Sequence, residues 1–246
     1  MMEITYIYHS GFLLEWANCY WLFDYFKGNI PPMDPVKKIF VFVSHKHKDH
    51  YNPVIFRLKE QYTDIQYLLS SDIRLTEKNY QKLGLTNDIL DKVLSVKAGD
   101  EYYLLDPQGN SIVLRTLKST DCGVAFLLHY QDKTVYHAGD LNLWLWEDES
   151  PQYNQSMTAN FNKQMAVLKD MEIDMAFAPL DPRQEGYYYR GLESLLHTAK
   201  VKYMFPMHFG DNPSIIKQFK QQRAVNIADW TIMEISSKGQ KWTLEI

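Results

Sequence analysis

Short hydrophobic stretches, alternating or continuous, follow one another along most of the chain, and polar or glycine-containing breaks separate them. This pattern is typical of β-strands joined by turns. The stretch at residues 39–43 is hydrophobic at every position, which predicts a strand buried on both faces. The predicted strands cover residues 3–8, 12–16, 20–23, 39–43, 65–69, 93–96, 101–105, 112–117, 124–130, 134–137, 174–177 and 202–205, and two short strands follow near the C-terminus.

Helices are predicted where helix-start signals precede a helical spacing of hydrophobic residues. Pro53 suits the first turn of a helix over residues 53–61, and Asp72 is expected to cap a helix over residues 72–82. Residues 141–153 are predicted to form a long loop that is rich in tryptophan and acidic residues. Further helices are predicted at residues 159–169, 192–199 and 213–222.

The order of these elements indicates the fold class. Each half of the chain begins with several strands and continues with strands that alternate with helices. This order predicts an α/β (α+β) protein with two mixed β-sheets and helices packed on the outside. We found no linker, repeat or low-complexity segment, so we expect one domain over residues 1–246. The alternation alone would equally allow a three-layer α/β fold.

Charge and cysteine content narrow the choice of partners and compartment. The chain has 26 Lys and Arg against 30 Asp and Glu, a formal charge of −4, which gives no electrostatic reason to expect nucleic acid or an anionic membrane. No signal peptide and no apolar stretch long enough to span a bilayer are visible. Two cysteines in 246 residues do not make a disulfide framework. We therefore expect a cytoplasmic protein.

Three of the eight histidines fall within six residues, directly after the predicted buried strand. They are His45, His47 and His50, and Asp49 lies beside the last of them. Residues at the end of a strand lie on a loop at the rim of a sheet, where ligands usually bind. Imidazole nitrogens and carboxylates are suitable ligands for zinc, iron or manganese. The alternative is a solvated basic loop, because lysines alternate with the histidines.

Other predicted strands also end in residues that can bind a metal. Asp24 follows residues 20–23, Asp140 follows residues 134–137, and His208 follows residues 202–205. This repetition favours a metal site over a solvated loop.

These motifs resemble those of the metallo-β-lactamase-fold hydrolase superfamily. The resemblance rests on His45-x-His47-x-Asp49-His50, Gly139-Asp140 and Met207-His208. The N-terminal Tyr8-His9-Ser10-Gly11-Phe12-Leu13 and the late Pro206-Met207-His208-Phe209-Gly210 resemble its lactonase-like branch, which includes ascorbate-6-phosphate lactonases and uncharacterised metal-dependent hydrolases. The resemblance implies a four-layer αβ/βα sandwich with a two-metal site at one edge.

The resemblance also implies a role for each matching residue. His45 and His47 would bind a first metal, and the second would be held by Asp49, His50 and His208. Asp140 would bridge both. Asp49, His50 and Asp140 are accordingly the residues expected to carry catalysis.

One departure from the family pattern concerns the first metal. The family has a third histidine just before the strand that begins at Val124, but residues 117–123 contain none. We expect Asp121 to replace it, with a position filled by water as the next alternative and Cys122 as the last. Cys122 is more typical of a small core residue than of a ligand.

The remaining candidates surround the ligands. Asp24 is expected to orient the ligand loop by hydrogen bonds, and His137 and His9 to support the site without binding metal directly. The substrate pocket is predicted to include Trp144, Trp146, Arg183 and Tyr188, which lie in two aromatic-rich loops.

The leading hypothesis is a metal-dependent hydrolase in which a metal-activated water attacks an ester, lactone or phosphoester of a small molecule. Two zinc ions are expected as the cofactor, with manganese and iron as alternatives. The competing hypotheses are a phosphodiesterase or nuclease and a non-catalytic metal- or ligand-binding protein with a degenerate first site. A homo-oligomer is compatible with the sequence.

Overall fold

The computed structural model describes residues 1–76, 80–81, 83–222 and 231–245, and these form two seven-stranded mixed sheets. In the first sheet the strands lie in the order β14-β1-β2-β3-β4-β5-β6. Their bounds are β1 Met2–Tyr8, β2 Gly11–Glu15, β3 Cys19–Phe23, β4 Lys38–Val43, β5 Ile65–Ser70, β6 Val93–Val96 and β14 Lys241–Leu244.

The second sheet is built mainly from the following part of the chain. Its strands are β7 Glu101–Leu105, β8 Ser111–Lys118, β9 Val124–Tyr130, β10 Lys133–His137, β11 Glu172–Pro179, β12 Lys200–Met207 and β13 Thr231–Ile232, in the order β13-β12-β11-β10-β9-β8-β7. Every predicted strand is present, with end points that differ by one or two residues.

The period-2 alternation of each central strand explains how the layers form. In β4, Phe40 and Phe42 face the second sheet, whereas Ile39, Val41 and Val43 pack on the opposite side. A 3₁₀ helix at Pro53–Glu60 covers that outer side together with α1, Asn87–Leu90. The strand is therefore buried on both faces, as its continuous hydrophobic sequence predicts.

Three helices cover the outer face of the second sheet. They are α2 Pro151–Met165, α3 Arg190–Thr198 and α4 Ser214–Gln222, whose buried side chains join the main core. The result is a four-layer αβ/βα sandwich, which confirms the predicted fold class and excludes the three-layer alternative. None of the helices in the described residues is long and apolar enough to cross a membrane.

Two helix predictions were wrong in part. Residues 72–76 are turn and coil, because the Asp72 carboxylate accepts a hydrogen bond from the Lys46 backbone instead of capping a helix. Residues 77–79 and 82 of that prediction lie outside the described residues. Helix α2 begins within the predicted loop, since Pro151 occupies its first turn and the Ser150 hydroxyl accepts from the Tyr153 backbone. The short helix α1 was not predicted.

The topology brings several strand ends to one edge of the sandwich. Strand β3 is parallel to β4, and β10 is parallel to β11, which is parallel to β12. The carboxyl ends of such neighbours lie side by side. Asp24, the 44–50 loop, Asp140, Asp181 and His208 follow these ends directly.

Candidate metal centre

Two groups of potential ligand atoms meet at this edge. We call the group of His45, His47, Asp121 and Asp140 the first cluster, and the group of His9, Asp49, His50 and His208 the second cluster. In each group the ligand atoms lie within 4.8 Å of one another. Residues 199 positions apart in the sequence, His9 and His208, thus meet in the second cluster.

Asp140 lies between the two clusters. Its Oδ2 is 3.5 Å from His45 Nε2, while its Oδ1 is 3.1 Å from His50 Nε2 and 3.3 Å from His208 Nε2. One carboxylate oxygen thus faces each cluster, which is the arrangement that a bridging ligand needs.

Hydrogen bonds fix the rings of His45 and His50. Ser44 Oγ donates to Asp24 Oδ2 over 2.6 Å and accepts from His45 Nδ1 over 3.0 Å. His50 Nδ1 donates to the same Asp24 oxygen over 2.7 Å. A histidine that donates from Nδ1 presents the lone pair of Nε2, so both rings aim a metal-binding atom at Asp140. Asp24 thus holds the His50 ring directly and the His45 ring through Ser44.

His208 is held in the same way by a residue that the sequence analysis missed. Its Nδ1 donates to Asp181 Oδ2 over 2.9 Å, and the Asp181 side chain is 1% exposed. The available signal was the position of Asp181, two residues after β11, at the same edge as the other predicted site residues.

The buried polar atoms of the site test whether a metal would fit. His9 Nε2, His45 Nε2, His50 Nε2, His208 Nε2 and Asp140 Oδ1 are buried and have no hydrogen-bond partner within the described residues. Burying such atoms unpaired is costly. Nitrogen and carboxylate donors that converge without partners are what a divalent transition metal binds. The donor set therefore fits a metal.

The charges of the site are strongly coupled. Burial raises the pKa of Asp140, but the nearby His50 and His208 outweigh this and hold it well below its ordinary value. Burial lowers the pKa of His50, but Asp140 and Asp24 together raise it by more than burial lowers it. The resulting pKa of His50 lies well above its ordinary value. Without metal, a protonated His50 thus lies between two carboxylates. Since a metal needs the neutral ring, binding must displace that proton.

His9 lies closer to the ligands than the sequence predicted. Its φ of 57° is unusual for a residue other than glycine, and the turn between β1 and β2 directs its ring toward His208, with ring centroids 4.0 Å apart. His9 Nε2 lies 3.6 Å from Asp49 Oδ2. Burial lowers the pKa of His9, so the ring tends to be neutral. The expectation that it only supports the site stays a prediction, and its Nε2 is placed where a ligand would be.

Asp121 occupies the position where the family histidine is missing. Its Oδ2 lies 3.2 Å from His47 Nδ1. Gly123 makes this approach possible, because a Cβ there would lie 2.0 Å from the Ser44 carbonyl oxygen. Cys122 Sγ is 3.8 Å from His47 Nε2. Burial is the main cause of the raised pKa of its thiol. Cys122 is not among the ligand atoms of either cluster.

His137 supports the turn that carries Asp140. Its Nε2 donates to the Ser10 carbonyl over 2.9 Å, and its Nδ1 accepts from the Gly139 backbone over 3.2 Å. The ring also stacks on Phe23 with centroids 4.8 Å apart. Both ring nitrogens take part in these hydrogen bonds, so His137 supports the site by holding the backbone at Ser10 and Gly139.

Two adjoining clefts open onto the clusters. The tryptophan cleft, of about 240 Å³, is lined by Trp144, Trp146, Tyr153 and Met157 beside the ligands. The tyrosine cleft, of about 280 Å³, is lined by Tyr8, Phe26, Pro182 and Phe209. Asp49, Arg183 and His208 line both. A larger groove of about 840 Å³ around His129 and His197 contains none of the predicted site residues.

Three of the four predicted pocket residues line the clefts. Trp144 and Trp146 line the tryptophan cleft and stack in parallel, with ring centroids 6.2 Å apart. Arg183 also lines the clefts. The prediction for Tyr188 was wrong: it lines neither cleft, because its side chain packs in the core and its hydroxyl donates to Gln222 of α4. Tyr153 and Met157 line the tryptophan cleft but were not predicted.

Comparison with known proteins gives relatives over the full length. A metal-dependent hydrolase of Desulforamulus reducens is 27% identical over 261 aligned residues, which cover 97% of this chain and 98% of that protein. Igni18, a metallo hydrolase from the archaeon Ignicoccus hospitalis, superposes with a TM-score of 0.62 at 19% identity and covers 100% of this chain and 99% of its own.

The same fold also carries other chemistry. CmlA, a diiron β-hydroxylase from Streptomyces venezuelae, superposes with a TM-score of 0.62 at 12% identity over 100% of this chain and 54% of its own. The fold alone therefore does not establish the reaction. The family, however, is established by sequence, since residues 3–155 match the one described as "Beta-lactamase superfamily domain". This match spans more than half of the chain, which therefore belongs to the beta-lactamase superfamily.

Proposed function

We propose that this protein is a metal-dependent hydrolase that uses two divalent metal ions, zinc in the first place, to cleave an ester or lactone bond of a small molecule. The observation that carries the proposal is the position of Asp140, which presents one oxygen to each cluster beside two small clefts. The superfamily and the hydrolase relative support the same reaction class.

In this proposal the first cluster holds one metal and the second cluster the other, with Asp140 shared. When bound, the metals would lower the pKa of a water and polarise the bond to be cleaved. The protein's own contribution is to keep the Nε2 atoms of His45, His50 and His208 aimed inward through hydrogen bonds at Nδ1.

Asp49 is the carboxylate placed to handle a proton. Its side chain is 42% exposed and lines both clefts. The nearby His9 ring, whose Nε2 lies 3.6 Å from Asp49 Oδ2, is the main cause of a strongly lowered pKa, so Asp49 is ionised at neutral pH. An ionised Asp49 would accept a hydrogen bond from the attacking water and hold it beside Asp140.

The clefts favour a small substrate. Their volumes of about 240 and 280 Å³ suit a compact molecule, and the formal charge of −4 offers no basic track for a polynucleotide. We therefore rank ester or lactone hydrolysis first and phosphodiester hydrolysis second, and a nuclease lower.

The test is metal analysis of purified protein combined with a panel of esters, lactones and bis-p-nitrophenyl phosphate. We expect two metal equivalents per chain and turnover of esters or lactones. The variant Asp140→Asn should lose metal and turnover together. The matched control is His129→Gln, which changes an exposed histidine on β9 that lies away from the clefts.

The other outcomes separate the competing functions. Activity on the phosphodiester without activity on lactones would reverse the ranking. One metal equivalent or none, with no hydrolysis of any compound in the panel, would support a non-catalytic binding protein and overturn the proposal.

A further inference from the structure

Arg183 is a cationic side chain that lines both clefts at the candidate metal centre. It lies in the 3₁₀ turn Pro182–Tyr187, which follows β11. Among the described residues that line the tryptophan and tyrosine clefts, it is the one lysine or arginine, and it lines both. A group bound at Arg183 would thus sit where the two clefts meet, beside Asp49 and His208.

The guanidinium is held in place by a buried carboxylate. Arg183 Nε donates to Asp181 over 2.9 Å, and Nη2 donates to Asp181 Oδ2 over 2.5 Å. Nη1 makes no such contact within the described part of the chain, and the side chain is 64% exposed. A guanidinium that is fixed on one side and open on the other loses little conformational entropy when it binds an oxyanion.

The local charge balance allows an anion there. Asp24, Asp49, Asp121, Asp140 and Asp181 carry five negative charges at the site, and two divalent metals would carry four positive charges. Arg183 would bring the total to zero, so the metal-loaded site does not repel an anion. Lys27 Nζ lies 4.3 Å from the centre of the ring of Tyr8, which lines the tyrosine cleft, and adds positive charge near that cleft.

We propose that Arg183 forms an oxyanion subsite that selects substrates with a carboxylate or phosphate group next to the bond that is cleaved. The inference rests on the proposed function, because the subsite is defined relative to the two clusters. The flat, apolar part of such a substrate lies along Trp144 and Trp146, and its anion accepts hydrogen bonds from the free side of the guanidinium. Charge-assisted pairs of this kind are worth about 10- to 100-fold in affinity.

The kinetic test compares two substrates that differ only in charge. Mono-4-nitrophenyl glutarate has a free carboxylate, and its methyl ester is neutral, while both release 4-nitrophenolate. The metal-loaded wild type should prefer the anionic substrate in kcat/KM. Arg183→Gln should lower the ratio of anionic to neutral kcat/KM by about 10-fold or more, and Arg183→Lys should give an intermediate ratio. The control Arg115→Gln removes an exposed arginine that pairs with Glu101 outside both clefts.

A binding test without turnover accompanies it. Isothermal titration of the metal-loaded protein with hippurate and with neutral hippuramide should show a preference for hippurate, which Arg183→Gln abolishes. If the wild type cleaves neither ester, the proposed reaction fails and the titration alone decides the subsite. Loss of the hippurate preference in Arg183→Gln supports the subsite. Equal losses for charged and neutral compounds, or a ratio within 2-fold of wild type, overturn it.

Discussion

The two clusters are built from similar residues but supported differently. In the second cluster, the His50 and His208 side chains are 0% and 2% exposed, and each donates from Nδ1 to a buried aspartate. In the first cluster, His47 and Asp121 are 44% and 38% exposed and contact each other. Only His45 of the histidines there is buried, and a serine hydroxyl holds it.

This difference indicates that the second cluster is the preorganised half of the site. A ligand whose ring is already fixed by a buried carboxylate loses little freedom on binding metal, and the carboxylate makes its nitrogen more basic. The first cluster depends on two exposed side chains that must be ordered at the same time. We therefore expect the second cluster to bind metal more tightly, with Asp140 coupling the two.

The largest expected effect follows from removing the shared ligand. Asp140→Ala should release metal from both clusters and lower kcat/KM by roughly 10³-fold or more, because metal Lewis-acid assistance is worth several kcal/mol. Metal content by mass spectrometry and steady-state kinetics on the same preparation check this, with circular dichroism to confirm folding. If one cluster kept its full metal content, Asp140 would not bridge the two.

Changing a residue that supports the ligands should lower metal affinity less than removing Asp140. The two clusters should then differ in how much affinity they lose. Asp24→Asn replaces one of the carboxylate oxygens that hold His50 directly and His45 through Ser44. We expect metal affinity to fall by about 10- to 100-fold at the second cluster and by less at the first. Ser44→Ala removes the hydroxyl that holds His45 and should cost less than 10-fold, mainly at the first cluster. Competition with a coloured chelator measures both. If both variants lost the same metal affinity at both clusters, the different support of the two clusters would be contradicted.

The sequence predicted the strands and most of the site because both depend on local signals. The hydrophobic run at residues 39–43, followed by His45, His47 and His50, indicates a buried strand that ends in ligands. Asp181 was missed because its role depends on the pairing of β11 with β12, which brings it to His208. The same holds for His9, whose approach to His208 requires β1 and β12 to lie in opposite sheets. Asp72 was misassigned because a tertiary contact to Lys46 uses its carboxylate.

The pH dependence of stability should report the buried contacts of His50 with Asp24 and Asp140. The pKa of His50 is raised in the metal-free fold, so this residue stabilises the fold below its unfolded pKa of about 6.5, and the contribution is lost as pH rises through the raised value. The lowered pKa values of Asp24 and Asp140 stabilise the fold above about pH 4, and that contribution is lost as pH falls.

His9, His45 and His137 have lowered pKa values, so their contribution to stability is complete above about pH 7. Above that pH the metal-free protein should therefore lose Tm as His50 loses its proton, whereas the gain in Tm on adding zinc should grow. A change of 1 kcal/mol corresponds to about 2–4 °C in a chain of this size. Thermal unfolding in chelator and in zinc measures both trends, and His50→Gln should remove the fall in the metal-free protein. A metal-free Tm of the wild type that keeps rising above about pH 7 would contradict a protonated His50 between two carboxylates.

The smallest effect is expected at Cys122, next to the exposed half of the first cluster. Its Sγ lies 3.8 Å from His47 Nε2 but is not part of the first cluster, whose nitrogen and oxygen atoms converge without it, so we expect that it does not bind the metal. Cys122→Ala should change metal affinity and kcat/KM by less than about 2-fold, whereas Asp121→Ala should lower affinity at the first cluster by about 10-fold or more. Cobalt substitution gives an independent measurement, because a thiolate ligand produces an intense charge-transfer band in the near ultraviolet. Loss of such a band in Cys122→Ala would make Cys122 a ligand, and the first cluster would then rest on sulfur as well as on oxygen and nitrogen.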